Sequence, residues 1–256
     1  MESLVSALVA AAVAVAVVVV ILVAVRRRVA LDVLSDNIGV GGLLMTVTGT
    51  FYAVLVAFAV FIVWNDYAST SDVVDREAVT LLDVVRISKA FPAATSLRIG
   101  DLAERYTADV IQQEWPAMAL GKTSPTARDL HDQLWSVVTS IKPADAGEQA
   151  AYSMLLSRLA DFSDARRKRL FDSTSSLSPA IWVILIAGGV TTLGFTFFFG
   201  LKNLRAQIIM TAMCVVTVAL VLWLISDLDG PFRGHIRITP DSFQAVAESL
   251  QRLKAR

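Results

Sequence analysis

The charged residues most able to do chemistry are a short basic run and one acidic residue in an apolar seam. The run contains Arg166, Arg167 and Arg169, which could anchor the chain at a membrane surface or concentrate anions at the mouth of a pathway. Glu77 lies among apolar residues at helical spacing, where burial without a cationic partner would be costly. We therefore interpret Glu77 as one half of a structural ion pair, with the basic run as a source of its partner.

Two further charged residues, Asp229 and Arg233, lie in a turn that follows the last apolar run. A helix stop that anchors the chain at the membrane interface would explain them. A cation site or the mouth of an ion pathway is the functional alternative. The complete predicted vestibule, or charge cluster, consists of Glu77, Arg166, Arg167, Arg169, Asp229 and Arg233.

A stripe of small and hydroxyl-bearing residues follows the apolar segment from Gly41 to Trp64. Small residues spaced about four apart allow helices to approach closely in lipid. The same stripe could instead line a pore, with hydroxyls from Thr46 and Thr50 and an apolar constriction at Phe61 that closes by dewetting. The predicted pore-lining residues are Thr46, Gly49, Thr50, Ala53, Ala57 and Phe61.

Residues that catalysis or metal binding would require are sparse. His131 and His235 are far apart and lack metal-ligand spacing, and Cys214 is the sole cysteine. The glycine-rich stretch at 39–42 precedes an apolar run and lacks the strand and the lysine of a nucleotide-binding loop. We therefore predict no enzyme activity, no catalytic residue, no metal site and no cofactor.

Four apolar runs are long enough to cross a bilayer. The chain is 55% hydrophobic with a mean hydropathy of +0.60, which is more apolar than an ordinary soluble domain. No charged residue lies well inside any run, which argues against a proton-coupled transporter. Since short connections join the runs in pairs, we predict an all-α fold with four transmembrane helices in two hairpins. The runs are Leu4–Val25, Gly41–Trp64, Pro179–Gly200 and about Ala206–Ile225.

The second apolar run continues without a break into an amphipathic helix that reaches Lys89 and is ended by Phe91-Pro92. Further helices are predicted to form a helical bundle on this extension, one of them ending at Pro116 and the next beginning at Ser124. A last amphipathic helix follows Pro240. The predicted domains are a first hairpin at 1–64, an extramembrane bundle at 65–178, a second hairpin at 179–226, and a membrane-edge turn with the C-terminal helix at 227–256.

The distribution of basic residues bears on orientation. The two short connections together hold five Lys and Arg residues, which favours placing them in the cytoplasm and leaves the N-terminus and the central domain extracytoplasmic. The basic run at 166–169, on the opposite side, argues for the reverse. Lys plus Arg and Asp plus Glu number 23 each, so the net charge gives no reason to expect a nucleic-acid partner.

Several short motifs are distributed along most of the chain. They are Gly49-Thr50-Phe51-Tyr52 with Phe58 and Trp64, Glu77-Ala78 with Leu81-Leu82, Glu114-Trp115, the run from Arg166 to Arg169 before Pro179 and Trp182, and Leu228 to Gly234. Together they resemble the bestrophin-like membrane family of prokaryotes. Bestrophins are oligomeric anion channels with four spans and a helical cytosolic portion, so the resemblance implies this architecture and places the bulk of the protein in the cytoplasm.

These observations predict an ion channel in the cell membrane, anion-permeable by resemblance, with the second span lining the pore. Four helices are too few to enclose a sizeable pathway, so we expect a symmetric homo-oligomer. The expected partners are the lipid bilayer, further copies of the chain and small inorganic ions. The alternative is a non-conducting scaffold or sensor that binds a partner through its helical domain.

Overall fold

The computed structural model describes residues 2–29, 38–199, 201 and 203–254, and every regular element in this part of the chain is a helix. The all-α prediction is therefore confirmed. In chain order the elements are α1 (Glu2–Arg28), α2 (Ile38–Ser88), α3 (Ala93–Asp109), a π-helical turn (Val110–Glu114), α4 (Trp115–Met118), α5 (Pro125–Thr139), α6 (Ala146–Asp172), α7 (Pro179–Phe195), a 3-10 turn (Thr196–Phe198), α8 (Leu204–Leu228) and α9 (Asp241–Lys254).

Four segments are long and apolar enough to span a membrane, as predicted. They are Val5–Arg28, Gly39–Ser88, Pro179–Phe198 and Leu204–Leu228. Apart from the part of α2 beyond residue 65, these segments belong to one compact unit, which comprises the residues up to 65 together with 177–229. Only 11–17% of an apolar 18-residue stretch in each segment is buried in the single chain, so lipid or other subunits would cover the remaining side chains.

Within this membrane unit, α1 packs mainly against α8, and α7 also contacts α8. The buried residues Ala7 and Ala11 lie one turn apart on α1, and their small side chains permit the close approach. Arg26 Nη2 donates to the carbonyl of Leu201 at 2.8 Å, which places the end of α1 beside the connection between α7 and α8. The connection at 30–37 lies outside the described residues.

The long helix α2 runs for 51 residues, close to the predicted extent of 41 to 89. Its end is also as predicted, since Pro92 disfavours helical geometry at the preceding residue and α3 begins directly after it. The part of α2 from residue 66 to its end belongs to the second compact unit. There α2 presents a buried seam that includes Val74, Ala78 and Leu81.

The second unit, called the helical unit below, comprises 66–176 and the residues from 230 onward. Its apolar core combines the seam of α2 with buried side chains from α3, α5, α6 and α9. The predicted N-cap is present, because Ser124 Oγ accepts a hydrogen bond from Ala127 N at the start of α5. The C-terminal helix α9 packs against α3 in this unit, through a face that includes Phe243, Val246 and Leu250.

The predicted helix end at Pro116 is wrong. The helical path continues from α3 through the π-helical turn into α4 and ends after Met118. Proline has no N–H to donate and its ring clashes with the preceding turn of a regular helix. The wider turn at Val110–Glu114 accommodates the proline, and such turns are frequent at functional positions.

Candidate functional site

Five polar side chains from four segments meet inside the helical unit. Arg166 and Arg169 come from α6, Glu77 from α2, Tyr106 from α3 and Glu114 from the π-helical turn. Four of them are 0% exposed and Arg166 is 6% exposed. Charged side chains this deeply buried require partners, so their contacts determine what the cluster can do.

Arg169 lies between the two carboxylates. Its Nε donates to Glu77 Oε2 at 2.5 Å, and its Nη2 donates to Glu77 Oε1 at 2.9 Å and to Glu114 Oε2 at 2.8 Å. The guanidinium carbon lies 5.6 Å from the ring centre of Trp115 and 5.7 Å from that of Phe243. Both carboxylates and both aromatic faces therefore favour the cation.

Arg166 closes the cluster into a ring. It binds Glu114 with two parallel hydrogen bonds of 2.8 Å, from Nη1 to Oε2 and from Nη2 to Oε1. Its Nη1 also donates to Tyr106 Oη at 2.7 Å, and that hydroxyl donates to Glu77 Oε1 at 2.5 Å. Two arginines and two glutamates balance in charge. The buried network is thus neutral and ties α2, α3, α6 and the π-helical turn together.

The pKa values of the network groups follow from burial and from their partners. Burial by itself raises the pKa of Glu114, but the positive charges of Arg169 and Arg166 outweigh it and lower the pKa below its ordinary value of 4.5. Burial, with a smaller effect from Glu77, raises the pKa of Tyr106 well above 10.0. The Glu114 carboxylate therefore stays charged, and the Tyr106 hydroxyl stays protonated and can donate its hydrogen bond to Glu77.

Acid should destabilise the helical unit through Glu114. Because its pKa is lower in the folded state, its contribution to stability is complete above about pH 4.5 and is lost as the pH falls from there through the folded-state value. We expect Glu114→Gln to remove part of this acid dependence, measured as the unfolding midpoint against pH. The exposed control Glu248→Gln should retain it. Equal acid dependence in both variants would contradict this role for Glu114.

The structure brings together three of the predicted vestibule residues, Glu77, Arg166 and Arg169, and pairs Glu77 with Arg169. They face the protein core. Sequence reasoning missed Tyr106 and Glu114 as partners of the arginines. A signal was available in the sequence, because Glu114 continues the four-residue spacing of Tyr106 and Val110 along one helical face.

The other three predicted vestibule residues do not join this network. The Arg167 side chain is 77% exposed and pairs with Asp164 on its own helix. Asp229, in the membrane unit, accepts hydrogen bonds from Leu177 N at 2.6 Å and Trp182 Nε1 at 3.2 Å, which fixes the approach to α7. Arg233 is exposed. Among the described residues, no three His, Cys, Asp or Glu side chains are grouped as a metal ion would require.

A serine, a histidine and an aspartate meet on the surface of the helical unit without forming a nucleophile. His131 Nε2 lies 2.8 Å from Ser163 Oγ, and His131 Nδ1 lies 3.1 Å from Asp132 Oδ1. However, Ser163 Oγ also donates to the carbonyl of Leu159 and accepts from Trp135 Nε1, each at 2.8 Å. With its hydroxyl bonded on every side, Ser163 connects α5 and α6.

The predicted pore-lining residues lie along one side of α2, which forms an open and mostly apolar surface. Gly49 is half-buried, the other residues are exposed, and Phe61 is 61% exposed. The hydroxyls of Thr46 and Thr50 donate to carbonyls one turn earlier in the same helix. The opposite face carries the buried residues Tyr52, Ala59 and Val63.

A sequence profile of the Bestrophin-like domain family matches residues 12–243, which include most of both units. The chain belongs to the Bestrophin-like family. The resemblance seen in the sequence motifs is thereby confirmed. No protein with curated annotation matches this Bestrophin-like chain in sequence.

Crystal structures of membrane proteins, among them bacterial bestrophin homologues, share the fold of this Bestrophin-like chain. A bestrophin homologue from Klebsiella pneumoniae with a tryptophan-to-alanine mutation has a TM-score of 0.74 and 13% identity, covering 100% of this chain and 99% of that one. Another homologue from the same organism, with a leucine-to-threonine mutation, has a TM-score of 0.69 and 14% identity, covering 96% of this chain and 99% of that one. A membrane protein with a proline-to-alanine mutation has a TM-score of 0.71 and 11% identity, covering 98% of this chain and 99% of that one. At these identities the likeness establishes the fold.

Proposed function

We propose that the protein is an oligomeric, anion-permeable channel whose pore is lined by the membrane-spanning part of α2. One observation above all supports this proposal. Five of the six residues predicted from sequence to line a pore, Thr46, Thr50, Ala53, Ala57 and Phe61, are exposed in the single chain. Family membership adds support, because bestrophins are oligomeric anion channels.

A conduit needs several copies of this face. In one chain, α2 is covered on the side of Tyr52, Ala59 and Val63 and open on the side of Thr46 and Thr50. Rotational symmetry would repeat the open side around a central axis and enclose a pathway between copies. The exposed side of α2 would then become the inner surface of the assembly.

The chemistry of the open face suits a weakly held anion. From 39 to 64 the sequence of α2 contains no acidic residue that would repel an anion. The hydroxyls of Thr46 and Thr50 are bonded only within their own helix and can rotate to donate to a passing ion. Phe61 supplies an apolar ring at one end of the face, as a dewetting constriction requires.

We also propose that the four spans form two hairpins with their short connections in the cytoplasm, since those connections are rich in Lys and Arg. A cysteine placed at the exposed Ser136, in protein carrying Cys214→Ser, should then react with an impermeant reagent applied outside intact cells. Reaction only after the membrane is opened would place the helical unit in the cytoplasm, as in bestrophins.

The second candidate function is a non-conducting scaffold or sensor. It is favoured by large apolar side chains that the helical unit exposes, among them Leu97, Leu120 and Phe171. Chloride release from loaded vesicles separates the two functions. The channel predicts release when purified protein alone is reconstituted, whereas the scaffold predicts no release and a protein partner that co-purifies.

A further inference from the structure

Tyr52 differs from its neighbours on the membrane-spanning part of α2. It is 8% exposed, whereas Phe51 beside it is 72% exposed and Ala53 is exposed as well. In the described part of this span, the other buried residues, Ala59 and Val63, are smaller. Tyr52 is therefore the largest buried side chain on this span of α2.

The ring of Tyr52 fits against two consecutive glycines of α7. A Cβ atom built on Gly188 would lie 2.6 Å from Tyr52 Cδ2, and one built on Gly189 would lie 2.9 Å from Tyr52 Oη. Separations below 3.0 Å are essentially never found for real Cβ atoms. Only glycine at these two positions leaves room for the ring, so the pair forms a notch shaped for Tyr52.

A third helix adjoins the same notch. Val218 of α8 has its Cγ1 at 3.4 Å from the Cβ position of Gly189. The hydroxyl of Tyr52 is buried and has no hydrogen-bond partner among the described residues. The fit of the ring, rather than a hydrogen bond to the hydroxyl, therefore holds Tyr52 between α7 and α8.

We propose that Tyr52 is a positioning residue that sets the rotation of α2. A helix turns by about 100° for each residue, so rotating α2 by one position would force the ring out of the notch. With the ring seated, the face that carries Thr46 and Thr50 stays on the open side of the helix. The consequence for conduction rests on the proposed function, whereas the fit itself does not.

Cysteine reactivity along α2 tests this inference. In oligomeric protein carrying Cys214→Ser, a cysteine at Thr50 should react with a water-soluble thiol reagent faster than one at Phe51. In the proposed channel the thiol at position 50 faces water, whereas the thiol at position 51 faces lipid and ionises poorly. Gly188→Ala should abolish or reverse this order, since the added methyl displaces the ring. Gly194→Ala is the matched control, because its Cβ would meet no atom within 4 Å, and it should leave the order unchanged.

A double-mutant cycle of thermal unfolding decides the inference independently of any pore. Gly188→Ala should lower the unfolding midpoint in the otherwise unchanged protein and be tolerated when Tyr52→Ala has removed the ring. Tyr52→Phe, which retains the ring, should preserve both the midpoint and the reactivity order. If Gly188→Ala had the same effect with and without the ring, the inference would be overturned. If cysteines at Thr50 and at Phe51 were both unreactive while Tyr52 and Gly188 were unchanged, this would count against the proposed function alone.

Discussion

Replacing Arg169 with methionine is expected to destabilise the helical unit by about 3–5 kcal/mol, the usual consequence of leaving a buried charge unpaired. The change leaves Glu77 facing only a phenol and deprives Glu114 of one of its two arginines. Neither carboxylate can reach water, because both side chains are fully buried. Denaturant unfolding in mild detergent, followed by circular dichroism, measures the loss.

Arg167→Met provides the matched control for this prediction. Arg167 is on the same helix, but its side chain is 77% exposed and its ion pair with Asp164 is open to solvent. Exposed pairs contribute little, so its removal should leave the free energy of unfolding almost unchanged. If the two methionine variants were equally stable, the network would not hold the unit together.

Thr50→Trp is expected to abolish most of the current through the assembled protein. In a symmetric oligomer one substitution places an indole in the pathway from every subunit, at a position now occupied by a small hydroxyl side chain. Thr50 is exposed and its hydroxyl donates to a carbonyl of its own helix, so assembly should survive. Planar-bilayer recording gives the current, and mass photometry verifies the oligomer.

Phe51→Trp is the control for the pore prediction. Phe51 is the next residue along the helix and is 72% exposed, but its side chain points about 100° away from that of Thr50. The variant should conduct like the unchanged protein. Phe61→Ala should change the conductance by widening the apolar constriction. Unchanged currents in both Thr50→Trp and Phe61→Ala would contradict the prediction that this face of α2 lines the pore.

Local sequence signals predicted much of the fold. The length of α2, its end before Pro92 and the N-cap at Ser124 each depend on a few neighbouring residues, and all three are present. The predicted stop at Pro116 failed because tertiary packing can stabilise a π-helical turn that absorbs the proline. The helix propensities of the local residues do not include this effect of tertiary packing.

The candidate site was predictable only in part. A buried Glu77 requires a cation, so pairing with the basic run could be inferred from the seam. Which arginines turn inward depends on the rotation of α6 against three other segments, and adjacent residues 166 and 167 differ completely in exposure. The partners Tyr106 and Glu114 lie 60 and 52 residues from Arg166 in sequence, beyond the reach of local patterns.

The most direct test of the proposed channel is the current through purified, folded oligomers in a planar bilayer under a potassium chloride gradient. An anion-permeable pore predicts a steady current with a reversal potential close to the chloride equilibrium potential. Reversal close to the potassium potential would retain a channel but contradict its anion permeability. No current from demonstrably folded oligomers would contradict the channel itself.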